Sequence, residues 1–177
     1  LMITYNKQIT LLDKHISQTP PNSDEIEEVK ELLGRTPDGL HRIIKKNDEI
    51  ITVLSDTFVR QRPFPTMFWL VNKDLIKKIS AIESSGIIKE LEKDKDIQDL
   101  VEVDNKNYAK LRTYFHETLH EKIDESSSYY PTVYLSGAGG IQDHRRIRCF
   151  HLHMAYHYSV GSNLGNYLIK KYPELII

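Results

Sequence analysis

The sequence predicts an α+β fold, a mainly helical single domain with a small antiparallel sheet. Three observations predict it. Apolar residues recur at helical spacing along most of the chain, as in Leu75, Ile76, Ile79 and Ile82 and again in Val101, Tyr108, Leu111 and Phe115. Between residues 41 and 71 the pattern changes to β-branched and aromatic runs, broken by Lys46-Asn47-Asp48 and by Pro63 and Pro65. A chain of 177 residues with 40% hydrophobic and 28% charged content is ordinary for one folded domain.

In order, residues 3–17 carry a weak helical pattern through Ile9, Leu11, Leu12 and Ile16, ended by Pro20-Pro21. Residues 1–22 therefore read as an N-terminal helix and hinge, and residues 23–177 as the single globular unit. A second helix starts near Ser23 and stops at Gly34. Residues 41–45 and 49–60 read as a hairpin, and residues 67–71 as a third strand entered through the prolines. Residues 73–84 form a helix, and residues 87–123 are predominantly helical, with a charged stretch at 92–99 that interrupts them. Residues 129–135 read as a β-like run, with 132–136 joining the sheet, and about 163–171 as a final helix.

The bulk numbers exclude more than they assign. A net charge of −1 gives no global argument for nucleic acid or an acidic membrane surface. One cysteine excludes an internal disulfide framework and fits a reducing, cytoplasmic setting. No apolar run reaches the about 18 residues that span a bilayer, so no membrane partner is expected.

Chemistry concentrates in residues 145–165, which hold Cys149, His151, His153 and His157. At about 100° per residue, Cys149, His153 and His157 share one helical stripe and His151 points elsewhere. Three readings stand side by side. The rings are hydrogen-bonded core residues; or Cys149, His153 and His157 ligate zinc or another divalent metal; or Cys149 is a thiol activated by Arg145, Arg146, Arg148 and a helix start, with His153 or His157 as base. Ahead of this helix, Gly137, Gly139 and Gly140 with Arg146 and Arg148 describe an anion site. Arg112, in the apolar stripe of the long helix, needs a carboxylate, a bound anion or a route to solvent. Arg35 sits in a Gly/Pro turn and reads either as a further anion ligand or as a solvated side chain, while Ser162 or Asn163 caps the last helix. His116-Glu117-Thr118-Leu119-His120 fits the zinc-protease pattern. Glu117 projects away from the apolar stripe and no third ligand follows, so the match reads as accidental, with solvated histidines on a helix edge.

Several pieces together resemble an uncharacterised bacterial family, catalogued as domain of unknown function number 501. They are Leu33-Gly34-Arg35 with Pro37 and Gly39, Pro63-Phe64-Pro65-Thr66 before Trp69-Leu70, Leu75 with Ile82-Glu83 and Gly86, Gly140-Ile141, Arg148-Cys149-x-His151-x-His153, and Gly161-x-Asn163-x-Gly165. The likeness covers about residues 30–165. Leu164 replaces a proline frequent in the family, and a cysteine pair that some members carry near the first hairpin is missing. The resemblance implies a site but names no reaction. Some members are encoded beside a septum-formation protein and a polyphosphate-hydrolysing enzyme, which points towards phosphate chemistry. The expected function is thus an enzyme or binding protein for an anionic, phosphorylated small molecule or nucleotide. Cys149, His151, His153 and His157 supply the chemistry, and Arg35, Arg112, Gly139, Gly140, Arg146, Arg148 and Asn163 hold the ligand. The alternatives are a metal-binding protein and a non-catalytic RNA- or protein-binding module that uses Arg60, Arg62, Phe64 and Trp69.

Overall fold

The computed structural model describes residues 2–177, which covers the expected N-terminal unit except residue 1. The fold is α+β and mainly helical, with a small antiparallel sheet. Helices α1 (Tyr5–Ile16) and α2 (Ser23–Leu33) come first, followed by strands β1 (Leu40–Lys46) and β2 (Glu49–Ser55). A short ribbon of β3 (Phe58–Val59) and β4 (Arg62–Pro63) precedes β5 (Phe68–Leu70). Helices α3 (Lys73–Glu83), α4 (Ile87–Leu91), α5 (Lys95–Leu119), α6 (Phe150–Val160) and α7 (Asn163–Lys171) complete it. Among the described residues no helix is long and apolar enough to cross a membrane.

The sheet runs β1-β2-β5, antiparallel throughout, and it is buried on both faces. Ile43, Val53 and Trp69 lie in register and pack with Val29, Leu32 and Leu33 of α2. Ile44, Leu54, Phe68 and Leu70 face the main core, where α6 crosses the sheet and Ser159 Oγ meets Thr52 Oγ1 at 2.8 Å. That double burial explains why β2 is apolar at successive positions, where a half-solvated strand would alternate. Helix α1 is drawn into the same core: Leu12 is fully buried, and Gln8 Nε2 donates to the Tyr156 hydroxyl at 2.6 Å and to Gly161 O at 2.7 Å.

Local signals account for the helix ends. Asn22 caps α2 in a reciprocal box with Glu25, and Gly34 at φ 69° ends it. Asp94 caps α5 by accepting from the amides of Asp96 and Ile97, so the charged stretch does break the helical run, and α5 then ends at Leu119, short of the expected residue 123.

One expected strand is corrected. Residues 131–135 form a turn of π-helix packed on α5, not a strand in the sheet. Tyr130 is already in the helical region, Pro131 has no N–H to offer a ladder, and Ser136 N donates back to Pro131 O at 3.0 Å. Arg112 holds the turn in place from below.

Candidate functional site

Arg112 is wholly buried, and each of its donors is committed within the protein. Nε donates to Val133 O at 2.8 Å, Nη1 to Pro65 O at 3.0 Å and Gly137 O at 3.2 Å, and Nη2 to the Ser136 carbonyl and hydroxyl. A guanidinium has five N–H groups, so none remains for a ligand. Burial pulls its pKa down to about 10. Its expected role as an anion ligand is corrected: it staples the segment 131–137 to α5, with carbonyl dipoles replacing the carboxylate that a buried cation usually needs.

The arginine cluster ahead of α6 splits as well. Arg145 pairs with Glu102 at 2.8 Å, and Arg146 pairs with Glu92 at 2.9 Å. Glu92 also accepts from Ile147 N. Arg146 therefore pins the approach to α6 and is removed from the anion set. Among the described residues Arg148 alone of the three has no carboxylate partner, and it lines an open cleft of about 450 Å³ with Thr66, Trp69, Gly139, Cys149 and His151. Gly139, at φ 66°, lies so close to Leu152 that a side chain there would collide with it, which is how the loop comes down onto α6. Gly140 instead abuts Pro65 and lines a separate hollow with Pro131 and Gln142.

The stripe of Cys149, His153 and His157 does not form a site. Cys149 is the N-cap of α6 with extended backbone (φ −164°), so helical spacing does not begin until the next residue. Its side chain makes no capping hydrogen bond. His153 is fully buried, and neither ring nitrogen has a hydrogen-bond partner; desolvation lowers its pKa to about 4. His157 Nδ1 accepts from Ser162 N at 3.1 Å, and burial lowers it likewise to about 4. Asn163 is also structural: its carboxamide receives Ile3 N at 2.7 Å and donates to Asp104 at 2.8 Å. Asp104 further accepts from the amides of Asn163 and Leu164 at the start of α7.

The structure instead brings Glu83, Cys149 and His151 together, with one ligand atom of each within 4.8 Å of the others. Glu83, the last residue of α3, accepts the first amide of α6 from Phe150 with Oε1 and turns Oε2 to His151 Nδ1 at 3.2 Å. His151 Nε2 lies 3.1 Å from Ser80 Oγ on the same helix as Glu83. Burial, and secondarily the Glu83 charge, pushes the Cys149 thiol up. The expectation of a thiol activated by three arginines is therefore corrected, since two of the three point to α4 and α5.

Glu83 stands among the family-like residues of the sequence but is not marked there as a site residue, and Asp104 and Asn105 are not marked at all. Asn105 Oδ1 accepts from Ala138 N at 2.9 Å, and its amide donates to His144 O at 2.8 Å, which ties both loops that lead to α6. Asp104 and Asn105 lie between Val101 and Tyr108 on the buried stripe of α5, a polar interruption that is itself the signal. The His-Glu-x-x-His pattern is structural: His116 is buried, not solvated, between Thr57 Oγ1 at 2.8 Å and Glu121 O at 3.1 Å, while His120 meets Asp56 at 2.6 Å. Phe64 and Trp69 stack on each other, 10° from parallel and 5.6 Å apart, and do not offer an open platform for RNA bases. Arg35 rests 5.6 Å from the centroid of Trp69, in a pocket under the Gly34–Gly39 turn.

No curated protein and no solved structure matches the chain. The model of one family does match, over residues 43–168, a span that takes in most of the sheet, α3 and the Glu83–Cys149–His151 group, and the chain belongs to that family, described as protein of unknown function (DUF501).

Proposed function

We propose that this protein holds a divalent transition metal, zinc first, through Glu83, Cys149 and His151, and uses it on an anionic, phosphorylated small molecule seated beside Arg148. The observation that carries this reading is the convergence of a carboxylate, a thiol and an imidazole at the edge of an open cleft. These are donor types that zinc takes at about 2.0–2.3 Å, and three protein ligands leave a fourth position for water or substrate. Tetrahedral ligation at those lengths places donor atoms roughly 3.3–3.8 Å apart, so a side-chain adjustment of about 1 Å closes the set. The surroundings favour it. Glu83 Oε1 is occupied as the cap of α6, Oε2 faces His151 Nδ1 at 3.2 Å and a metal between the two would replace that contact, and Ser80 beside His151 Nε2 holds the ring with Nδ1 on that side. Metal binding expels the thiol proton. A metal held there would supply Lewis-acid polarisation of a phosphoryl oxygen or a bound water, and Arg148 would balance the charge of the anion.

The test is calorimetric titration of zinc into chelator-treated protein, with cobalt substitution to read a thiolate charge-transfer band. One equivalent is expected. Glu83→Gln, Cys149→Ser and His151→Gln, each checked for an unchanged circular dichroism spectrum, are expected to weaken binding at least about tenfold. Absence of binding to the wild type, or equal binding by Cys149→Ser, overturns the metal site. With cobalt bound, inorganic phosphate is expected to shift the visible spectrum, and Arg148→Gln to weaken that shift.

A further inference from the structure

The Glu83–Cys149–His151 cleft leaves a second concavity unused. Beneath the turn that joins α2 to β1, Leu33, Leu40, Val53, Phe64 and Trp69 wall a pocket of about 200 Å³. An apolar cavity of ~150 Å³ is enough to admit benzene, so the space suits one ring with a small substituent. Its walls come from the end of α2, from β1, β2 and β5, and from Phe64 just after β4. They are fixed by the smaller hydrophobic cluster under the sheet, where Val53 is buried.

The polar groups at its rim are unequal. Arg60 and Asp38 pair at 2.6 Å and cancel. Arg60 and Gln61 both have positive φ, at 50° and 61°, in the two-residue turn of the β3–β4 ribbon. Asparagine and glycine are the usual occupants of such a turn, and here the backbone strain is tolerated with Arg60 held against Asp38. Arg35 has no carboxylate among the described residues; it lies on the Trp69 ring and leaves the rim with one uncompensated positive charge. An apolar slot for a single ring with one unpaired guanidinium at its edge matches a flat organic anion, because the ring is desolvated by the walls and the carboxylate meets a forked donor.

We propose that this pocket binds a small aromatic or alicyclic carboxylate, with its ring between Leu40, Val53 and Phe64 and its carboxylate on Arg35. The site is separate from the proposed metal cleft, although Trp69 lines both.

The chain has one tryptophan, so its indole N–H gives a single, isolated proton–nitrogen resonance. The experiment titrates benzoate into metal-free, full-length protein at constant ionic strength and follows that resonance, with benzyl alcohol as the uncharged counterpart and acetate as the charge without the ring. Saturable shifts with benzoate are expected, at least tenfold tighter than with benzyl alcohol or acetate. The affinity is expected to fall at least tenfold in Arg35→Gln and to stay unchanged in Arg148→Gln. No saturable shift, equal affinity for benzyl alcohol, or loss in Arg148→Gln with retention in Arg35→Gln overturns the proposal. Because the protein is free of metal throughout, the result is independent of whether Glu83, Cys149 and His151 bind zinc.

Discussion

The imidazole of His157 lies directly over the α-carbon of Gly165, so that a Cβ at position 165 would overlap the ring. Gly165 is inside α7, where alanine normally gains about 1 kcal/mol over glycine. Overpacking against a ring held in the α6–α7 elbow costs up to about 3 kcal/mol, so the collision outweighs the gain in helix propensity. Gly165→Ala is expected to destabilise the protein by about 2 kcal/mol in urea unfolding. Adding His157→Ala should recover part of that loss, so the double variant falls short of the sum of the singles. Strict additivity would show that the two residues do not touch in solution.

Arg112 supports a second prediction. Arg112→Lys keeps the positive charge but replaces a five-donor fork with a compact ammonium, which cannot reach Pro65, Val133, Ser136 and Gly137 together. Stranding those buried carbonyls is expected to cost about 3–5 kcal/mol. Hydrogen exchange should speed up first in residues 131–137, the segment that Arg112 holds. If exchange rises uniformly instead, the arginine is not a local staple.

The helices and the hairpin were legible because their signals are local. Capping residues, glycine stops and apolar periodicity place α2, α3 and α7 within a residue or two. Residues 129–135 misled because Tyr, Val and Tyr have strand propensity, and only the tertiary contact with Arg112 selects a π-turn. The site was half legible. Cys149 and His151 stood out as residue types, but a helical wheel paired Cys149 with His153, since the sequence does not reveal that Cys149 caps the helix with extended backbone. Glu83 is distant in sequence and became visible only once α3 lay beside the start of α6. In the same way, Gly161-x-Asn163-x-Gly165 looked like part of a site, whereas Asp104 and His157 show it to be the packing of the α6–α7 elbow.

Cys149 itself yields a third prediction. Burial raises its thiol pKa, and the nearby Glu83 charge adds to the rise. Alkylation by iodoacetamide at pH 7 is therefore expected to be slower than for a free cysteine peptide, since the thiolate is the reacting form. Glu83→Gln should speed it, and Arg148→Gln should slow it further. A rate above that of the peptide would restore the activated-thiol reading.

Acid sensitivity gives the fourth. His153 and His157 have native pKa values lowered to about 4 from 6.5. Between those limits the unfolded chain binds protons that the native protein refuses, so stability is lost as pH falls from 6.5 towards 4, by about 3 kcal/mol for each ring. Asp104 acts in the opposite sense. Its native pKa is raised from 3.8 to about 6 by burial, so its contribution is present at low pH and is lost as pH rises through that window. Two histidines outweigh one carboxyl, and the wild type is expected to weaken on acidification from pH 6.5 to pH 4. His153→Leu removes a buried ring with two unpartnered nitrogens, so it should be neutral or stabilising at pH 7 and should flatten the acid slope by close to one proton. Asp104→Asn should steepen it while weakening the start of α7. Urea midpoints measured at intervals from pH 4 to pH 7 check both, and an unchanged slope in His153→Leu would mean that the ring is solvated or partnered in solution.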